Sequence, residues 1–173
     1  MSLQTTYKGF ITSILALLLS VSLFASDASL IQHANTDLPH HGILMQSRDG
    51  FVYLKVSDAY INELFAHIDD THYKKPPYFR RPDSPGAHIS VLYVQEAKKV
   101  GTVPDLGKEF TFQINDVARV FSGKKGYFIL KVTSPELEAY RENLGLNPKL
   151  QGHDFHITIA TKQIKKHHQT VEN

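Results

Sequence analysis

Apolar and polar positions change period several times along the chain, and each change predicts an element. Phe51-Val52-Tyr53-Leu54-Lys55-Val56 is a β-branched and aromatic run of strand length. Ser57 then stands as a helix N-cap with Asp58 in the first turn, and Ile61, Leu64, Phe65 and Ile68 recur at helical spacing. Residues 71–86 hold four prolines and read as a long loop. A second strand follows over Ala87–Val94. Gly101, Pro104 and Gly107 punctuate the next stretch. Phe110–Phe121 and Tyr127–Val132 then read as strands joined by the turn Ser122-Gly123-Lys124-Lys125-Gly126, a hairpin. Ser134-Pro135-Glu136 opens a helix with a cap, a proline at the first position and an acid in the first turn. Leu137, Tyr140 and Leu144 mark its apolar face and Gly145 ends it. After a loop, Asp154–Thr161 reads as a last strand.

The order strand, helix, strand thus occurs twice, and the closing strand of each unit carries nearly the same tetrapeptide. His88-Ile89-Ser90-Val91 and His156-Ile157-Thr158-Ile159 both read histidine, apolar, hydroxyl, apolar. Side chains alternate faces along a strand, so each segment places an imidazole and a hydroxyl together, opposite its apolar residues. With ten histidines and 42% apolar residues, about 0.2 such tetrapeptides are expected by chance. Two are present. An imidazole gives or takes a proton near neutral pH, and a neighbouring hydroxyl hydrogen-bonds an anionic oxygen. Each unit is expected to be a right-handed crossover with its helix on one sheet face and its histidine on the other.

On these paired motifs the chain resembles the 2H phosphoesterases, over roughly residues 40–165. The resemblance implies a duplicated, two-lobed α+β fold, mostly antiparallel sheets with helices on the outer faces and a central cleft. It implies His88 and His156 as the acid and base, and Ser90 and Thr158 as the hydroxyls that hold the phosphate. Members of the family cleave 2′,3′-cyclic phosphates, 2′-5′ linkages or related RNA and nucleotide ends without a metal, so no cofactor is expected. Which histidine is the acid and which the base stays open at this stage.

Composition narrows the setting. Lys8 is the only charged residue before Asp27, and it precedes an apolar run from Phe10 to Ala25 of signal-peptide length, short for a membrane span. Residues 1–26 are expected to be a signal peptide, with cleavage after Ala25 or Ala28 and export to a periplasm or beyond the cell. Residues 27–42 are expected to be a flexible lead-in, 43–165 the domain and 166–173 a frayed tail, in a monomer without stable membrane association. The chain has no cysteine, which excludes disulfides, thiol nucleophiles and zinc-finger sites. A net charge of +2 is too small for broad duplex binding.

Any nucleic-acid preference must come from a local patch. The loop Tyr73-Lys74-Lys75-Pro76-Pro77-Tyr78-Phe79-Arg80-Arg81 mixes cations and aromatics as phosphate- and base-binding sites do. Lys74, Lys75, Tyr78, Arg80 and Arg81 are therefore candidate contacts to a nucleotide or RNA end. His153 is a candidate for the cleft, with Asp154 as a partner for a histidine. Tyr93 is a candidate stacking residue, although alternation points it away from His88 unless a bulge intervenes. The adjacent pairs His40-His41 and His167-His168 have poor spacing for a shared metal. The competing readings are a non-catalytic nucleotide-binding module and an exported histidine-rich metal binder.

Overall fold

The computed structural model describes residues 27–81 and 84–164. Residues 27–37 form a helix, α1, which buries Leu30 and Ala34, with Leu38 just beyond its end. These three sit at four-residue spacing, the stripe that a helix needs to cover a core. The expected flexible lead-in is thus corrected: the segment is helical and anchored, with Asp27 held by the Arg119 guanidinium through two bonds of 2.9 Å. The expected signal peptide and residues 166–173 lie outside the described residues.

Strand β1, His41–Gln46, pairs antiparallel with β2, Val52–Lys55. Instead of one long helix, a single α turn follows, α2 at Ala59–Asn62, then a 3-10 turn at Leu64–His67. The Asp58 carboxylate at the start of α2 makes no cap bond; it accepts instead from the Ala87 amide at 2.9 Å and from Lys55. Strand β3 is His88–Leu92 and ends earlier than its sequence predicts, because Val94–Val100 forms a helix, α3. Glu96 accepts from the Tyr93 amide at 3.2 Å and Gly101 closes the helix at φ 80°, signals present in the sequence.

The long strand expected at 110–121 divides in two. β4, Glu109–Thr111, pairs with β1, while β5, Gln113–Ser122, pairs with β6, Lys125–Thr133. Helix α4, Pro135–Asn143, starts as predicted: Ser134 accepts from the Leu137 amide at 3.2 Å. Strand β7 is His156–Gln163. The sheet is antiparallel throughout, in the order β4-β1-β2-β3-β7-β6-β5. The motif strands therefore return beside β2 and β6 in antiparallel sense, which corrects the expected right-handed crossovers, since a crossover joins parallel strands.

Two features shape the cleft. β4 and β5 are the two outer strands of the sheet, yet Phe112 alone separates them in the chain. The sheet must curl for one run of chain to serve both edges. In the middle, β3 and β7 pair only at Ile89↔Ile157. Two half-sheets, β4-β1-β2-β3 and β7-β6-β5, are joined at that point and open away from it. The fold is α+β and two-lobed, as expected.

Candidate active site

His88 opens β3, His156 opens β7, and the same local device fastens each ring. The His88 Nδ1–H donates to the Gly86 carbonyl at 2.8 Å, and the His156 Nδ1–H donates to the Asp154 carbonyl at 3.1 Å. A carbonyl only accepts, so Nδ1 holds the proton and Nε2 of the neutral ring keeps a lone pair. Gly86 is the one residue type suited to its place: φ is +61°, and a Cβ would collide with the Asp58 carboxylate and the Lys55 ammonium.

The two strands match in register as well as in residue type. β2 against β3 runs Lys55↔His88, Leu54↔Ile89, Tyr53↔Ser90, then jumps to Val52↔Leu92. β6 against β7 runs Lys131↔His156, Leu130↔Ile157, Ile129↔Thr158, then jumps to Phe128↔Ala160. Val91 and Ile159 are the extra residues. Each is the fourth of its tetrapeptide, and both are fully buried. A bulge there kinks the strand just past the histidine and hydroxyl, a device common beside active sites. The strands meet antiparallel at Ile89↔Ile157, so His88 lies beside Thr158 and Ser90 beside His156. The register thus has a local pseudo-twofold at two isoleucines, which sets each histidine opposite the other motif's hydroxyl position.

His88, Ser90, His156 and Thr158 line one cleft of about 690 Å³, joined by Tyr78, Tyr93 and His153 from the other candidates. That volume suits a nucleotide-sized ligand. Tyr93 arrives there because β3 bulges at Val91 and ends at Leu92, which cancels the simple alternation argument. Lys74, Lys75, Arg80 and Arg81 do not line the cleft. Lys74 pairs with Thr161 through its backbone, and the Lys75 ammonium donates to Asn62 at 3.1 Å and sits over the Phe65 ring. Arg80 is exposed. Arg81 borders a separate pocket of about 320 Å³ beside Arg48 and Asp49.

The two halves of the site differ electrostatically. Phe51, Tyr53 and Tyr78 surround the His88 ring, with centroids 5.7, 5.7 and 4.8 Å away and every contact edge-on. Burial among them holds the imidazole below its usual pKa; the Gly86 carbonyl opposes this, and the charges of Lys55 and His156 add to it. The Tyr78 hydroxyl, bonded to Thr158, is raised by its own burial and stays protonated. His156 is half-buried. The Asp154 carboxylate pairs with Lys149 and is held below the usual range by it, so Asp154 serves His156 through its carbonyl alone.

Comparison with known families now decides the kinship. A family model described as the Swiss Army Knife 2H phosphoesterase domain matches residues 52–167. The chain belongs to the 2H phosphoesterase family. The match begins at β2, so α1 and β1 precede it. No curated protein and no solved structure gives a match. The family model supports a phosphodiesterase-type hydrolase in general terms.

Sequence reasoning passed over several residues of this 2H phosphoesterase site. Phe51 was visible only as a strand residue, and Tyr127 and Lys131 only as part of a hairpin. Both of the latter line the cleft at alternate positions of β6, with Ile129 between them. The signal was present in the period-two pattern, but nothing in the sequence said which strand would lie beside β7. Of the histidine pairs, His40 bonds the Ala34 carbonyl at 3.1 Å and packs on Phe112, and His41 lies 3.9 Å from Glu109. His167-His168 falls outside the described residues. Among the described residues no three His, Asp or Glu side chains form a group able to hold a metal.

Proposed function

We propose that this protein hydrolyses 2′,3′-cyclic phosphate or 2′-5′ phosphodiester bonds of nucleotides or RNA ends by paired-histidine acid/base catalysis, without a metal. The observation that carries the reading is the pseudo-twofold at Ile89↔Ile157, which gives each proton carrier a hydroxyl partner from the other strand. In a cyclic phosphate, water attacks phosphorus while one Nε2 takes its proton. The P–O bond to one ribose oxygen breaks, and the other histidine protonates that oxygen. Ser90 and Thr158 bond the non-bridging oxygens, where charge grows in the transition state. His88 fits the base, because its aromatic walls and Lys55 keep it neutral at lower pH; His156 is then the acid. The apolar run before Ala25 supports export, to a periplasm or beyond the cell.

The test is a panel of 2′,3′-cyclic nucleotides, 2′-5′ oligomers and cyclic dinucleotides, assayed with EDTA present and read by product mass. Turnover of a cyclic or 2′-5′ ester is expected. His88→Ala and His156→Ala should each lose about 100-fold or more, and the double variant little further, since the pair acts as a unit. Near-normal turnover in either single variant would end the paired mechanism, and activity restored only by added divalent metal would favour the metal reading.

A further inference from the structure

The pseudo-twofold that relates the two motif strands extends one strand outward on each side, and there it breaks. The residue opposite His88 on β2 is Lys55, and the residue opposite His156 on β6 is Lys131. Two lysines thus flank two histidines at equivalent places. Lys55 is ion-paired: its ammonium bonds the Asp58 carboxylate beside Gly86. Lys131 lines the cleft and makes no ion pair with any described residue. Two acids lie near it. Asp116, opposite on β5, turns its carboxylate back to accept from the Val117 amide at 2.8 Å. Asp154, which shares the cleft and feels the Lys131 charge, gives its carboxylate to Lys149.

We infer that Lys131 is the phosphate-anchoring cation of the cleft, binding the anionic oxygens of a single nucleotide phosphate beside His156. The inference rests on the phosphodiesterase reading for the identity of the anion. Three observations carry it. Direct cross-strand neighbours have Cβ atoms roughly 5 Å apart, so a phosphate held between the histidines and hydroxyls lies within reach of a lysine side chain. Lys131 is a half-buried residue in a cleft walled by Tyr78, Tyr93 and Tyr127, and a cation partly withdrawn from water attracts an anion more strongly than one in open water. The loop cations at 74, 75, 80 and 81 do not border the cleft, so among the described residues that line it the positive charge besides histidine is Lys131. One fixed cation on one side makes two equivalent half-sites unequal and sets the direction in which an ester lies. It also favours a nucleotide-sized substrate over an RNA tract, which would need a row of phosphate contacts.

Calorimetric titration of the full chain with adenosine 3′-monophosphate and with adenosine tests this, alongside turnover of a 2′,3′-cyclic nucleotide. Lys131→Met should weaken the monophosphate about 10- to 100-fold and leave adenosine unchanged. Lys131→Arg should recover most of the loss, and added salt should weaken wild type more than Lys131→Met. Should Lys131→Met fold poorly, Lys131→Gln takes its place. Equal monophosphate affinity in wild type and variant overturns the inference, as does failure of wild type to bind the monophosphate. Charge-dependent binding without any turnover would leave Lys131 in place and end the catalytic reading. Turnover and binding indifferent to Lys131 would do the reverse.

Discussion

Behind His88, Lys55 and Asp58 form a small charged assembly whose effect is felt at the ring. Asp58 accepts from Lys55 and from the Ala87 amide, which seats the turn whose Gly86 carbonyl holds His88. The Lys55 charge helps to hold the imidazole down. A general base works only when neutral, so under the proposed role of His88 the acid limb of kcat/KM is expected to follow its pKa and to lie below that of an ordinary histidine. Lys55→Met removes a positive neighbour and leaves a bare carboxylate, and both changes favour the imidazolium. The acid limb should therefore move to higher pH, by less than about one unit, in a pH profile on a small cyclic nucleotide. An unmoved limb would show that aromatic burial alone sets the ring.

At the scale of elements, Arg141 links the second lobe to the first motif. Its guanidinium is fully buried and reaches from α4 to the Val91 carbonyl, to Glu96 on α3 at 2.8 Å and to the Asn147 carbonyl at 2.8 Å. Val91 is the bulged residue of β3, so its carbonyl falls where the ladder is interrupted, and Arg141 supplies the bond. Burial alone would raise the Glu96 carboxyl, but the bonds from Arg141 and the Tyr93 amide outweigh it and hold the group below its ordinary range. Its contribution is thus complete above about pH 4.3, the unfolded value, and is lost as pH falls through the folded one. Arg141→Ala leaves the buried Val91 carbonyl without this bond and the half-buried Glu96 carboxylate without its charged partner, which costs about 3–5 kcal/mol. The melting temperature at neutral pH should fall by roughly 10 °C. A loss below about 2 °C would mean that water satisfies these groups.

For the whole molecule, the family match and the folding unit have different bounds. The matched region starts at Val52, but β1 pairs with both β2 and β4, and α1 supplies Leu30, Ala34 and Leu38 to the same core as the motif strands. A chain cut to 52–167 exposes the edges of β2 and β4 and uncovers that core. It should be insoluble or lack a cooperative thermal transition, whereas 27–173 should unfold in one step. Cooperative folding of the shorter chain would make α1 and β1 accessories. Curling of the sheet through Phe112 is what makes all these pieces interdependent, because one run of chain closes both edges.

Local patterns were enough to pick out two histidine-hydroxyl pairs that the fold brings to one cleft, and some of the frame. Alternation put each histidine with its hydroxyl, and cap, proline, acid and glycine marked α4 from Ser134 to Gly145. Both were legible because the physics involved spans only a few residues. The helix α1 and the capped α3 were also written locally, in Leu30-Ala34-Leu38 and in Tyr93 with Glu96, yet polar neighbours and the adjoining strand pattern masked them. Tertiary structure alone decided the rest. Alternation tells which face a residue takes, but register across the sheet tells which neighbour it meets. That is why the two tetrapeptides could be paired from the sequence, while their junction at Ile89 and Ile157 and the matching bulges could not. It is also why the lysines and arginines of the 73–81 loop, clustered in sequence, stand away from the cleft, and Lys131, unremarkable in sequence, faces it.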